Sequence, residues 1–526
     1  MNNYKMATFS ASTGISGGTN IVKLDGTKGV TFFSQNPSNP SIVYNSTNSG
    51  ASWSPALTLT PSGNTITINS IDISGDNALF SHTTTLSGVT TGSLYNSSNG
   101  GATWTLNTDS ALNLAAISNT RVSISGNNAV IAVNYSSGTR AVFYSSNAGL
   151  TWASSTISVT VPENIKQIVI SGNNAIFITN QYYLYNSTNG GQTWNQQRDN
   201  SGAGITINSV SLSGSNVIIG EQNNISTSNN DGVTWTNFAT AGYNIQSVSI
   251  SGDNAVANGG NLGASQTKLY NSNNVNLGSS VTWNNTLTIS SAGGFGNISI
   301  SGDNAVAGTQ VSGASTIFTS NDIGLGAIAT WTTITPTITA LNSISVSGVN
   351  AIVGTGSNNV YYTSTPLCYE KNTLILVLEN EEEVYKKVGE LKVGDLVKTY
   401  KDGYKKIKII KSFKYKLWNK DNELNYLYRM KENGVIVTGG HSLLVDKFSE
   451  EEEIKNRKYE FFNETINDKK LLLACTSDKF EKIDDDKEYE LCHFSLESDD
   501  PFTHYGVYIN DGILSESCSE SAIIRS

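Results

Sequence analysis

One tract recurs along the first two-thirds of the chain and limits its fold more than any other feature. The pattern S-x-N/D-x-G-x-S/T-W occupies residues 46–53, 97–104, 145–152, 187–194 and 228–235, and two looser copies end at Trp283 and Trp331. Successive tryptophans stand 51, 48, 42, 41, 48 and 48 residues apart. A second pattern, S-G-x-N-A/V, precedes most of them, starting at Ser74, Ser125, Ser171, Ser213, Ser251 and Ser301. It comes once more at Ser347 with no tryptophan behind it, and residues 23–30 read as a worn first copy. Self-similarity at a period of ~40–50 residues marks a repeat architecture, in which each unit buries against its neighbours a face it could not bury alone.

Each unit reads as four short strands. In the third, residues 121–124 alternate, 126–128 turn, 129–133 are apolar and 141–144 form another run. The loop 147–149 then turns into a fourth strand at 151–152. Glycine and asparagine at the turns supply positive φ at little cost. An all-β propeller follows. The last unit, residues 343–365, has three strands and no fourth, while residues 4–10 form a lone strand before the first unit. Pairing the two closes the ring and removes two exposed edges. The expected count is eight blades, with seven as the alternative.

Composition changes sharply where the repeats stop. Residues 1–367 hold 8 Lys+Arg and 11 Asp+Glu; of the totals of 33 and 43, that leaves 25 and 32 for the remaining 159 residues. All four cysteines also lie beyond the boundary, too few for a disulfide scaffold. A second domain is therefore expected from Cys368. A net charge of −10 argues against a nucleic-acid partner, and a mean hydropathy of −0.22 argues against a transmembrane segment or a charge-rich disordered chain. No basic flank precedes an apolar run at the N-terminus, so no signal peptide is expected.

The tryptophan-ended tract resembles the BNR or Asp-box repeat of sialidase-like propellers. The box acid is asparagine at Asn48, Asn99, Asn147, Asn189, Asn230 and Asn274, and aspartate only at Asp322. An amide oxygen can cap the same turn. The resemblance implies a scaffold with the tryptophan packed between blades, and it does not carry activity. A sialidase of this kind needs three converging arginines, a tyrosine with a glutamate partner, and an acid. Residues 1–367 offer only Arg121, Arg140 and Arg198, with Glu163 and Glu221. A glycosidase therefore ranks last. Hydroxyls, amides and the aromatics Tyr182, Tyr183, Tyr243, Tyr361 and Tyr362 suit a glycan or protein ligand, although strand packing accounts for such tyrosines equally well. No metal site or cofactor is expected, since only His82 of the four histidines lies in the repeats.

Beyond the boundary the chain reads Cys368-Tyr-Glu-Lys-Asn-Thr373-Leu-Ile375, then Val388-Gly-Glu-Leu-Lys-Val-Gly-Asp395-Leu-Val397. Val435-Ile-Val-Thr438-Gly-Gly-His441-Ser-Leu-Leu-Val445 and Tyr505-Gly-Val-Tyr-Ile-Asn-Asp-Gly512-Ile-Leu514 follow. In that order these stretches resemble the blocks of Hint (Hedgehog/intein) domains, in the style found in giant DNA viruses, over residues 368–518. A cysteine opening a domain can attack the carbonyl just upstream and convert an amide to a thioester, provided the departing nitrogen is protonated. The resemblance implies Cys368 as nucleophile, the Leu367–Cys368 bond as the scissile one, His441 as proton donor to its nitrogen, and Thr438 as the group orienting that peptide. Thr373 and Asp395 are expected to hold turns. Cys475 and Cys492 are expected in the core, with a minor alternative as thioester acceptors.

Inteins end in His-Asn before Cys, Ser or Thr. Here Glu516 and Ser517 stand at those places, with Cys518 behind them. Splicing is therefore not expected, and N-terminal cleavage is. The expected layout is a propeller at 1–365, a junction at 366–367, a Hint-type β domain at 368–518 and a tail at 519–526. Water, a thiol, an amine or a hydroxylic lipid would resolve the thioester. The alternative is an adhesive or structural propeller, such as a virion surface component, with an inactive Hint domain. Host cytoplasm and virion both fit the absent leader.

Overall fold

The computed structural model describes residues 10–518 except 13, 16–18, 34–39, 51, 61–64, 262–265, 291–294, 310–314, 321, 339–340, 348–349, 357–359, 364–367, 417–425, 457–464, 486 and 499–502. The chain divides into two compact units, one spanning Phe9–Thr363 and a second built on the sequence from Ser364 onward.

The first unit is a β-propeller. Its third repeat is typical: Ile117–Ser125, Asn128–Tyr135, Arg140–Ser145 and Ala153–Ser154 form an antiparallel meander. The fourth strand begins just after the tryptophan rather than on it. Strand pairing gathers the repeats into seven sheets, six of four or five strands and one of six. The six-stranded sheet carries two copies of the repeat, because Thr236–Ser251 runs without a break from the last strand of one into the first strand of the next. The expectation of eight separate blades thus gives way to seven sheets. The ring closes as the lone-strand argument requires: Ser10–Ala11 pairs with Val360–Thr363 through Ser10↔Tyr362 and Ala11↔Tyr361. The rest of the expected strand, residues 4–9, lies outside the described residues.

The two sequence patterns do different work. The S-G-x-N tract ties each repeat to the next. Ser74 Oγ accepts from Gly126 N–H at 2.9 Å, and Asn77 Nδ2 donates to the carbonyl of Gly126 at 3.1 Å. The same pair of bonds joins Ser125 and Asn128 to Gly172, and Ser213 and Asn216 to Gly252. Ser347 accepts from Gly26 across the closure. In the worn first copy, Asp25 accepts from Gly75 N–H at 2.6 Å in the serine's place, and Lys28 takes the asparagine's place by pairing with Asp76.

The box tract folds a hairpin corner and seats its tryptophan. Asn147 Oδ1 accepts from Thr151 N–H at 3.0 Å and from Ser145 Oγ at 2.8 Å, and the Ser145 hydroxyl accepts from Gly149 N–H at 2.9 Å. In the one acidic copy, Asp322 accepts from Ser320 Oγ and Thr330 N–H in the same way. Trp194 is buried among Val130, Ala132 and Val142 of the preceding repeat, and Trp152 beside Leu79 and Leu94. The box tryptophan therefore bridges neighbouring repeats.

The second unit is a 14-stranded sheet with a single α-helix, Glu450–Asn456, among the described residues. Its spine is the long pair Tyr404–Lys416 and Glu488–Leu496. On the first of these, Lys406 and Lys408 are exposed on either side of buried Ile407, as on a strand with one wet side. No described helix of either unit is long and apolar enough to cross a membrane.

Candidate functional site

Cys368, which opens the described part of the second unit, is clamped between strands. Tyr369–Glu370 pairs on one side with Glu488–Leu496, through Tyr369↔Cys492, and on the other with Ile436–Thr438, through Tyr369↔Val437. The Tyr369 ring packs against His441 with centroids 4.2 Å apart, and its hydroxyl donates to the Glu516 carbonyl at 2.6 Å. Burial on all sides follows, and Cys368 is 0% exposed.

Every polar atom of Cys368 has a facing group. Its N–H donates to Thr438 Oγ1 at 3.3 Å, and its carbonyl accepts from Thr438 N–H at 3.2 Å. His441 Nδ1 lies 3.2 Å from that same carbonyl oxygen. The thiol sulfur lies 3.7 Å from Nδ1 of His493. Beyond His441, its Nε2 faces the Glu516 carbonyl at 3.1 Å. The Glu516 carboxylate accepts from Ser442 N–H at 2.9 Å and stands 3.8 Å from His504 Nδ1. Cys518 N–H donates to the Phe494 carbonyl, one residue beyond His493.

Burial sets the protonation states. It pushes the Cys368 thiol well up, with Cys518 and then Cys492 adding to the effect. It pulls His441 down to about 4 against the upward pull of the two carbonyls, and His493 down to about 3 with help from the Lys411 charge. At neutral pH the sulfur therefore keeps its proton and both imidazoles are uncharged. A neutral imidazole has one N–H, so His441 donates to only one of its two facing carbonyls.

The structure brings Cys368, Thr438 and His441 together. Thr438 Oγ1 accepts from the Cys368 amide N–H. His441 is not on the amide nitrogen. The pairing of Ile436–Thr438 with Tyr369 sets the T-x-x-H turn beside the Cys368 carbonyl, and the N–H is already occupied by the threonine hydroxyl. Leu367 lies outside the described residues. Cys492 is buried in the main core and Cys475 half-buried against it. Asp395 braces its turn by accepting from Lys392 N–H at 3.0 Å. His493, Glu516 and Cys518 complete the cluster. The sequence signal for them was the crowding of three of the four histidines into residues 441–504.

The propeller's candidates disperse. Arg121 is tied to the Lys166 carbonyl, Arg140 to Asn164 and Arg198 to Glu221, so the three arginines are structural ties and do not converge. Tyr243 and Tyr362 are buried, in keeping with strand packing, while Tyr182, Tyr183 and Tyr361 are half-buried. Among the described residues no cluster of His, Cys, Asp and Glu could hold a metal ion.

Fold and site together define a BNR-type β-propeller joined to a β unit that buries a cysteine among histidines. The propeller places the chain in a family: residues 65–340, just over half of the chain, match the family described as photosynthesis system II assembly factor YCF48, and the chain belongs to it. The fold is also similar to solved YCF48 from Cyanidioschyzon merolae, at 18% identity and a TM-score of 0.39 over 57% of this chain and 95% of that one. YCF48 bound to D1 peptide gives 17% and 0.39 over 59% and 99%, and the computationally designed Ika8 protein gives 10% and 0.46 over 68% and 100%. No curated protein matches the chain.

Proposed function

We propose that residues 368–518 are a Hint-type self-processing domain acting on the Leu367–Cys368 bond, and that residues 1–365 are the ligand-binding propeller it releases or transfers. The observation that carries this reading is the environment of Cys368. It is the residue that opens the described part of the second unit, its amide N–H is held by Thr438, and its thiol and carbonyl face His493 and His441. Attack by sulfur on the upstream carbonyl forms a C–S bond and breaks the C–N bond, leaving a thioester and a free amine. Glu516 and Ser517 in place of His-Asn leave no asparagine to cyclise, so the reading stops at N-terminal cleavage, resolved by water, a thiol, an amine or a hydroxylic lipid. For the propeller, membership of a family described as an assembly factor favours a protein ligand over a glycan.

Intact mass of the purified chain, before and after incubation with dithiothreitol or hydroxylamine, tests the reading. Two fragments that part between Leu367 and Cys368 and are absent from Cys368→Ala are expected. A single mass near 56.2 kDa under all conditions overturns it. A second reading, a binding propeller carrying an inactive second domain, is favoured by one specific observation: His441 is neutral and turned to a carbonyl rather than to the amide nitrogen.

A further inference from the structure

Among the groups around Cys368, His493 faces the sulfur, and the reading above gives it no chemical step. We propose that His493 is the base that takes the Cys368 thiol proton as the sulfur attacks, a role that rests on the self-processing reading.

Position argues for it first. His493 follows Cys492 on the strand Glu488–Leu496, and Tyr369 pairs with Cys492. Side chains alternate along a strand, so a one-residue shift would turn the imidazole to the opposite face. The register instead sets His493 beside Cys368, with Nδ1 3.7 Å from the sulfur, a distance within the range of a hydrogen bond to sulfur. Both side chains are fully enclosed, at 0% exposure each. Water is therefore not at hand to take the proton.

Chemistry argues for it second. The thiol is held protonated by burial, and only the thiolate attacks. Without an adjacent acceptor the proton would have to leave through the core. His493 is neutral, since burial and the facing Lys411 charge both disfavour the imidazolium; with the ring proton on Nε2, the lone pair sits on Nδ1, toward the S–H. The resting pair is thus an uncharged thiol beside an uncharged imidazole, not a preformed ion pair, and proton transfer accompanies attack. The proton count closes: the hydrogen leaves sulfur for Nδ1 as the C–S bond forms, and the His493 imidazolium gives a proton up to the Cys368 nitrogen as the C–N bond breaks. The base ends as it began. His441 and Thr438, on the carbonyl and N–H sides of the same residue, hold the peptide while this happens.

The test uses the full-length protein and its cleavage rate in dithiothreitol, followed by intact mass, for wild type, Cys368→Ala, His493→Gln and His493→Phe. Glutamine keeps a polar group without basicity; phenylalanine keeps the ring volume. The expected result is cleavage slowed about a hundredfold or more in both variants. Its dependence on dithiothreitol concentration should also vanish, because formation of the thioester and not its capture would then limit the rate. A variant that merely loosened the site would keep the thiol dependence. Should either folded variant, with an unchanged thermal midpoint, cleave at the wild-type rate while Cys368→Ala does not cleave, His493 is not the base and the self-processing reading stands. If wild type is uncleaved, both fall together.

Discussion

At the scale of single residues, the box glycine is the least replaceable position in the repeat. Gly101 has φ +86°, and a Cβ there would lie 2.4 Å from Val30 Cγ1 of the preceding repeat. Gly126, in the S-G turn, has φ +58° with nothing within 4 Å. Gly101→Ala combines left-handed strain with a clash against a packed side chain and should cost about 3 kcal/mol; Gly126→Ala carries the strain alone, about 1 kcal/mol. Urea denaturation followed by tryptophan fluorescence checks the difference, and equal costs would mean that the neighbouring repeat yields. The asparagine of the box behaves as its chemistry suggested. Asn147 Oδ1 accepts twice, and the Thr151 hydroxyl that takes the Nδ2 donation can turn to donate to a carboxylate as Thr330 does to Asp322, so Asn147→Asp should stay within about 0.5 kcal/mol of wild type at neutral pH, and Asn147→Ala should lose about 1–2 kcal/mol. These roles were legible in the sequence because the box is a local turn whose partners lie within four residues. The contact of Cys368 with His493 was not, since 125 residues separate the two.

At the scale of elements, the inner strands are joined by hydroxyls instead of by a shared ladder. Val248 N–H donates to Ser209 Oγ, Ile250 N–H to Ser211 and Gly252 N–H to Ser213, so one strand's serines satisfy the next strand's amides. The bonds at Val248 and Gly252 differ in burial, the first closed and the second open to solvent. Ser209→Ala strands a buried donor and should cost about 1–3 kcal/mol, whereas Ser213→Ala lets water replace the hydroxyl and should cost under about 0.5 kcal/mol. Paired denaturation curves of the two variants decide it. The alternation of serine with apolar residues was visible from the sequence, but its use was not, because the partner amides belong to the neighbouring repeat. The same limit explains the blade count. Nothing local distinguishes two strands joined by a loop from the single strand Thr236–Ser251; the pairing of Asn244 with both Gln222 and Gly260 decides that. His441 shows the limit at the site, where strand register turned it to a carbonyl.

At the scale of the whole molecule, the two units differ in what acid does to them. Unfolded imidazoles titrate near 6.5, while His441 is held at about 4 and His493 at about 3. The unfolded state therefore binds protons that the folded state refuses. The stability from these groups is complete above pH 6.5 and is lost as pH falls through 4 toward 3, on the order of several kcal/mol in total. His504 is lowered as well, whereas the propeller has only His82, at about 4. Calorimetry should resolve two transitions, and lowering the pH from 7.5 to 5 should move the second unit's transition further than the propeller's. Equal shifts would show that the histidines are not buried uncharged. The sequence by itself determined the repeat, the turn chemistry of the box, the ring closure and the change of character near Cys368. Each of these rests on residues close in the chain or on a period that survives without coordinates. Tertiary structure alone decided which atoms surround the Cys368 sulfur, which strands fuse into one sheet and which tyrosines are buried. Those outcomes depend on register between strands far apart in sequence, and a shift of one residue reverses the face that every side chain presents.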